Sequence, residues 1–283
     1  MVKVLNAGFY TTIQDFGRFG YQHYGVPYSG VMDRQAAGLA NCILGNPENA
    51  AVLEMTMTGV ALQFNSETFI CVAGADMLPT QNDVPISLYK CYKMQVGDVL
   101  SFGKLKMGFR CYLAVLGGFE SENIMGSQSM CEGITHVFKI SKHDSLKINK
   151  TSLFSEDKNA SIKINNDYQF TNNLDVFKGP EFDLLSEKQQ NFLLKTAFTI
   201  SKNNNSMAYQ LEETLKNTLK PIITSAVLPG TVQLTPSGNL IVLMRDCQTT
   251  GGYPRVLQLK ETAINTVAQK TTGNTLNFRL SEF

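Results

Sequence analysis

Gln14, Asp15, Arg18, Ser29 and Asp33 fall within one early stretch, TIQDFGRFGYQHYGVPYSGVMD, from Thr12 to Asp33. A carboxylate three residues from a guanidinium offers two chemistries. Asp15 and Arg18 could pin their own loop as an ion pair. Alternatively, Asp15 could serve as a general base while Arg18 clamps a substrate carboxylate bidentately. Asp33 reads as the cap of a following helix. A later stretch, MRDCQTTGGYP from Met244 to Pro254, carries Gln248, Thr249, Thr250, Gly251 and Tyr253. Gln248, Thr249 and Thr250 supply neutral donors and acceptors. Gly251-Gly252 could turn backbone N–H groups towards an anion as a nest does, or could simply form a strand-end turn.

Glu54 lies in an apolar Leu-Glu-Met run. Facing inward it would have a raised pKa and acid/base potential, but a solvent-facing strand position is the simpler expectation. Asn41 is a surface or capping amide, or has a role near the early loop. His23 is the histidine of interest, being inside that loop. No His/Asp/Glu cluster has metal-ligand spacing, so no metal site is expected. The chain lacks Gly-Lys-Ser/Thr, GxGxxG and GxSxG runs, so no nucleotide-binding loop or hydrolase elbow is expected.

The early stretch must be a rigid, sharply turning loop. Gly17, Gly20, Gly25 and Gly30 permit tight geometry, Pro27 fixes one φ, and its aromatics argue against disorder. Lys3 to Asn6 reads as a strand feeding it. A helix starts at Asp33 and stops near Gly45 or Asn46. Short strands follow at Val52–Met57, Val60–Phe64, Phe69–Ala73, Val84–Leu88, Lys93–Val96, Val99–Phe102 and Cys111–Leu116. Such close strand spacing points to an antiparallel sandwich or barrel. A polar run from Ser141 to Asn173 suits a seam or exposed hairpins. Beyond it come a strand at Leu174–Lys178, a helix at Ser186–Phe198 and a polar loop at Ser201–Ser206. Further strands are expected at Ile222–Val227, Thr231–Leu234 and Leu240–Met244, then a helix at Glu261–Gln269 and a strand at Thr275–Leu280.

This pattern predicts a mainly β protein in two lobes, residues 1–150 and 151–283, with strands able to exchange between them. A ligand cleft between the lobes is the expected site. Formal net charge is +1 and no polybasic run occurs, which argues against nucleic acid and membrane partners. Six cysteines without a CxxC pair suggest scattered buried thiols in a reducing compartment. The sequence MVKVLNAGFY lacks a signal-peptide core and no run has membrane-spanning length, so a cytoplasmic location is expected. The sequon Asn149-Lys-Thr151 then carries no glycosylation message.

At both polar stretches the chain resembles the biotin-dependent carboxyltransferase-like family, also called the allophanate hydrolase subunit 2 family. Within it, the C subunit of 5-oxoprolinase is the nearest functional label. The resemblance rests on Thr12-Ile13-Gln14-Asp15-Phe16-Gly17-Arg18, Gly25-Val26-Pro27 and Ser29-Gly30-Val31-Met32-Asp33. It continues through Ala40-Asn41, Leu44-Gly45-Asn46, Leu53-Glu54, Gly74-Ala75-Asp76, Gly97-Asp98, Tyr112-Leu113-Ala114 and Gly117-Gly118, and ends with Gln248 to Pro254. It implies two cyclophilin-like β-barrel lobes and partnership with homologues of the B and A subunits of 5-oxoprolinase. The implied complex is an ATP-dependent 5-oxoprolinase that opens the lactam of 5-oxo-L-proline to L-glutamate. ATP would be used by the assembled complex. Carried onto this chain, Arg18 becomes the anion contact, Asp15 or Asp33 the proton-transfer group, and Gln248 with Thr249 the amide-recognition pair. Gln14, Ser29, Asn41, Glu54, Thr250, Gly251 and Tyr253 complete the substrate-binding set.

Two departures bear on activity. The family's Asn-Arg-Met-Gly-x-Arg-Leu run is here Asn205-Ser206-Met207-Ala208-Tyr209-Gln210-Leu211, and its Gly-Ser-Arg-Ser-Thr turn is Gly126-Ser127-Gln128-Ser129-Met130. Three cationic groups are missing. That loss favours an alternative, a non-catalytic regulatory partner of the B-type homologue, working as a kinase-inhibitor antagonist. A third reading is a carboxyltransferase acting on an amide- or urea-type substrate. It would need biotin on a separate carrier, because Lys104-Leu105-Lys106-Met107 is not a Met-Lys-Met acceptor.

Overall fold

A computed structural model describes residues 1–149 and 164–282. The expected boundary at 150/151 and residue Thr151 of the sequon lie outside the described residues. The chain divides into two units: Met1–Arg18 with Ser29–Asn165, and Phe19–Tyr28 with Asn166–Phe283. The mainly β expectation holds, and the described residues include four α-helices.

The first unit has a seven-stranded and a five-stranded sheet. In the five-stranded sheet the order is Tyr10–Gln14, Val52–Thr56, Met107–Val115, Thr68–Asp76 and Cys91–Met94. Successive side chains alternate between its faces. Ile13, Leu53, Met55, Ile70, Val72, Leu113 and Val115 pack into a core with Val2, Val4, Leu62, Phe64 and Leu100 of the other sheet. Val52, Cys71, Ala73, Tyr112 and Ala114 point the other way, onto helix α1 (Arg34–Leu44). Ala36, Ala37, Ala40 and Leu44 give α1 a small-residue face that can lie close to the sheet. Each fully buried Leu or Met contributes roughly 1.5–3 kcal/mol.

The helix begins and ends as its sequence predicts. Asp33 accepts a hydrogen bond from Ala36 N–H at 3.0 Å, and Gly45 closes the helix with φ 77°. Asn41, also predicted on this helix, is fully buried. Its amide donates to the Glu48 and Ala50 carbonyls and its oxygen accepts from Asn46. It therefore ties the helix to the turn that follows, and the surface alternative does not apply.

The second unit contains a closed seven-stranded barrel and a two-stranded ribbon. The strands predicted at Thr231–Leu234 and Thr275–Leu280 are observed with near-identical bounds. Helix α2 (Asp167–Phe170) and strand Ser145–Ile148 fall inside the polar run expected to be a seam. Helix α3 is shorter than expected, Glu187–Lys195, because Phe198 turns inward as the first residue of strand Phe198–Asn204. The polar loop expected at Ser201–Ser206 is instead largely that strand, paired with Ala208–Thr214 through Ile200↔Leu211. Tertiary pairing overrides the low strand propensity of Asn203 and Asn204, since Phe198 and Ile200 are fully buried on the barrel side. Helix α4 (Glu261–Ala268) lies as predicted. Among the cysteines, Cys42 and Cys91 are exposed, which corrects the expectation of uniformly buried thiols.

Candidate functional site

Strand Tyr10–Gln14 pairs with Val52–Thr56, setting Thr12 opposite Glu54 and Gln14 opposite Val52. The chain then folds back on itself. Val31 N–H donates to the Asp15 carbonyl at 2.9 Å. A Cβ on Gly30, whose φ is 90°, would sit 2.7 Å from Gly17 N and 2.8 Å from the Asp15 carbonyl oxygen. Only glycine fits that crossing. Beside it, Ser29 is fully buried in a left-handed conformation with φ 57°. Left-handed backbone at a non-glycine residue stores strain and marks positions held by their surroundings.

Asp15 is the centre of a hydrogen-bond knot. One carboxylate oxygen accepts from Ser127 Oγ and Ser129 Oγ, both at 2.6 Å, and from Gly17 N–H at 2.8 Å. The other accepts from Gln128 N–H at 2.7 Å. Asp15 thus fastens the Ser127–Ser129 turn to the glycine corner, and a substrate proton could reach it only by displacing a donor. Arg18 is fully buried and donates through Nη2 to the Ser129 carbonyl at 2.5 Å. The two side chains expected to pair therefore both hold one turn. Gln128, at one of the departures from the family pattern, is part of this knot and also accepts from Ser121 N–H.

Gln14 donates to Thr12 Oγ1 at 3.0 Å and to the Met130 carbonyl at 2.8 Å. Its Oε1 and the Ser29 Oγ are buried without a hydrogen-bond partner. An unsatisfied buried polar atom costs about 1–3 kcal/mol, which makes these two atoms candidates for bonding to a ligand group. Gln14 and Ser29 keep open the bonding capacity that Asp15 has filled.

Behind the corner lies a buried polar cluster that sequence reasoning did not assemble. Glu54 is buried, not solvent-facing, because the backbone leading into α1 meets it at Met32. One of its oxygens accepts from Met32 N–H at 2.8 Å, and the other is 3.8 Å from Arg110 Nε. Tyr112, directly across from Glu54 in the ladder, accepts from Asp33 N–H at 2.8 Å through its hydroxyl oxygen. Burial, reinforced by the Glu54 and Asp33 carboxylates, holds the Tyr112 phenol well above its ordinary pKa. The signal for Arg110 was present: a lone cation in the apolar run Met107 to Val115 needs a buried anion. A groove of about 670 Å³ elsewhere on this unit has Ile13 and Met130 in its wall, but none of the predicted site residues lines it.

In the second unit, strand Thr250–Gly251 pairs with Ser225–Ala226. Val227 N–H donates to the Thr249 carbonyl at 3.1 Å, and Ile222 N–H to the Gly252 carbonyl at 2.9 Å. Gly251 and Gly252 do not adopt the positive φ of a nest; they permit close packing. A Cβ on Gly251 would lie 2.5 Å from Gln233 Nε2. Gln248, Thr250 and Tyr253 are exposed and Thr249 is half-buried. Gln233, fully enclosed with its Nε2 unpartnered, was missed; its signal is a lone amide in the apolar strand Thr231–Leu234. Arg245 anchors the loop's start by a forked pair with Glu261 at 2.5 and 3.2 Å. His23, in the excursion Phe19–Tyr28, is exposed, its ring against that of Tyr24 with the two planes tilted by 43°. Among the described residues no group of three His, Cys, Asp or Glu side chains could hold a metal ion.

The model of the carboxyltransferase domain, subdomain A and B, matches residues 24–280. The chain belongs to that family. It is 30% identical to the C subunit of 5-oxoprolinase from Haemophilus influenzae, covering 98% of this chain and 90% of the relative. It is 31% identical to the same subunit from Escherichia coli over the same shares. Its fold matches the crystal structure of Kluyveromyces lactis urea carboxylase with a TM-score of 0.85 and 27% identity, over 98% of this chain. The chain spans only 27% of that enzyme, and 55% of another solved structure that it matches.

Proposed function

We propose that this chain works in an ATP-dependent 5-oxoprolinase, opening the lactam of 5-oxo-L-proline to L-glutamate together with homologues of the A and B subunits. The carrying observation is the near end-to-end similarity to the C subunit of 5-oxoprolinase in two organisms, at 30% and 31% identity. A lactam is a stabilised amide. Phosphorylating its oxygen with ATP makes the ring carbon a better electrophile for water. The protein's part in such a step is to hold the ring and the developing charge with preorganised donors.

The geometry supports a division of labour that departs from the resemblance. Gln14 Oε1 and Ser29 Oγ, closed off in the free chain, would accept from a lactam N–H and donate to an oxygen once the assembled complex opens the corner. The second unit carries amide-recognition groups of its own, Gln248, Thr249 and Thr250. Asp15, Arg18 and Asp33 act as positioning residues: Asp15 and Arg18 hold the Ser127–Ser129 turn and Asp33 holds the start of α1. Mixing the purified chain with its A- and B-type partner homologues tests the proposal. ATP hydrolysis dependent on 5-oxoproline should require all three components. Full turnover without this chain would overturn it.

A second reading has one observation behind it, the fold match to urea carboxylase. In that reading the same amide-recognition groups would present a urea-type substrate to a carboxyl group delivered by a separate carrier. Carboxylated product in place of glutamate in the same mixture would select it. A stable complex with neither product would select the regulatory role that the changes at Ser206, Gln210 and Gln128 suggest.

A further inference from the structure

Cys71 and Cys91 are directly opposite one another in the antiparallel pair formed by Thr68–Asp76 and Cys91–Met94. Directly opposed residues project to the same face with Cα atoms about 4.5–5.5 Å apart, inside the range a disulfide bridges. Their surroundings differ sharply. Cys71 is completely buried beneath α1, among Val52, Ala73, Tyr112 and Ala114. Cys91 is exposed at the start of the sheet's edge strand. Both are thiols in this structure.

We propose that Cys91 and Cys71 form a peroxide-responsive modification site, in which oxidation at the exposed thiol is captured as a cross-strand disulfide by the buried one. The order follows from access. Burial pushes the Cys71 thiol up to about 12, and a solute cannot reach it, so Cys71 is not the first target. Cys91 attacks a peroxide oxygen and becomes a sulfenic acid, with release of water. The Cys71 sulfur then attacks the Cys91 sulfur, the S–S bond forms, and the sulfenic hydroxyl leaves with the Cys71 proton as a second water. Two thiols are oxidised, hydrogen peroxide is reduced, and two waters result. The register supplies the proximity that a high-pKa resolving thiol needs. Cys111 is not an alternative partner, because it faces the opposite core.

The test is independent of the proposed activity. The intact chain is treated with hydrogen peroxide, then its remaining thiols are alkylated under denaturing conditions and mapped by mass spectrometry. The expected result is a drop from six alkylated cysteines to four, with a Cys71–Cys91 linked peptide about 2 Da lighter than its reduced parts. A thiol reductant should restore all six. Cys91→Ser should leave Cys71 fully alkylated after the same treatment, and Cys71→Ala should divert Cys91 to sulfenic and sulfinic forms. Wild-type chain in which Cys91 reaches the sulfinic acid while Cys71 stays reduced, or in which Cys91 links to another cysteine, would overturn the proposal.

Discussion

Glu54 and Arg110 show what a single charged side chain inside a strand implies. Each is nearly enclosed, at 6% and 4% exposure, so removing either charge strips the other of a counter-charge where water cannot replace it. Arg110→Met should destabilise the first unit by about 3 kcal/mol in a denaturant titration, because Glu54 would remain buried without that counter-charge. Adding Glu54→Gln should recover much of that loss; two additive penalties would show that the pair is not coupled. Neither role was legible from one residue at a time. Glu54 reads as solvent-facing until the backbone at Met32 is known to meet it, and Asn41 reads as ambiguous until the turn at Glu48–Ala50 returns to it. Asp15 and Arg18 were recognisable as special by type and spacing. Their shared engagement with residues 127–129 was not, since it spans more than a hundred positions of sequence.

At the scale of elements, the glycine corner and the helix caps were the most legible features, because both are local. Asp33 and Gly45 bound α1 through interactions a few residues long. The hairpin around Asn205 was missed because its polar sequence matches a loop and only barrel closure makes it a strand. Gly30→Ala should cost at least about 2 kcal/mol, since the new Cβ meets backbone atoms that cannot rotate away and φ is 90°. An unchanged thermal midpoint would mean that the backbone crossing is looser than its contacts imply. A second element-scale case lies in the barrel, where Glu181 receives Arg255 through two guanidinium nitrogens and the backbone amide. The Arg255 hydrogen bond holds the Glu181 carboxyl below its ordinary value of 4.5. Its contribution is therefore present above pH 4.5 and lost as pH falls through the lowered value. Glu181→Gln should lose about 1 kcal/mol at neutral pH and show a shallower acid decline than wild type. Parallel stability–pH curves would contradict this.

For the whole molecule, strand spacing and turn residues were enough to predict a mainly β chain, and order-preserving matches from Thr12 to Pro254 were enough to place its family. The closed barrel adds what no pattern along one strand contains: Asn173–Lys178 closes it by running parallel to Thr275–Leu280, near the two ends of the second half. No helix among the described residues is long and apolar enough to cross a membrane. The functional account depends on a buried corner whose hydrogen-bonding capacity stays open at Gln14 and Ser29. Steady-state kinetics of 5-oxoproline-dependent ATP hydrolysis, measured on the three-component complex carrying Ser29→Ala or Gln14→Leu, tests it most directly. The account predicts at least about a tenfold fall in kcat/KM for each variant, from loss of one hydrogen bond to the reacting amide, with complex assembly unchanged. Wild-type kinetics from both variants in an intact complex would contradict it.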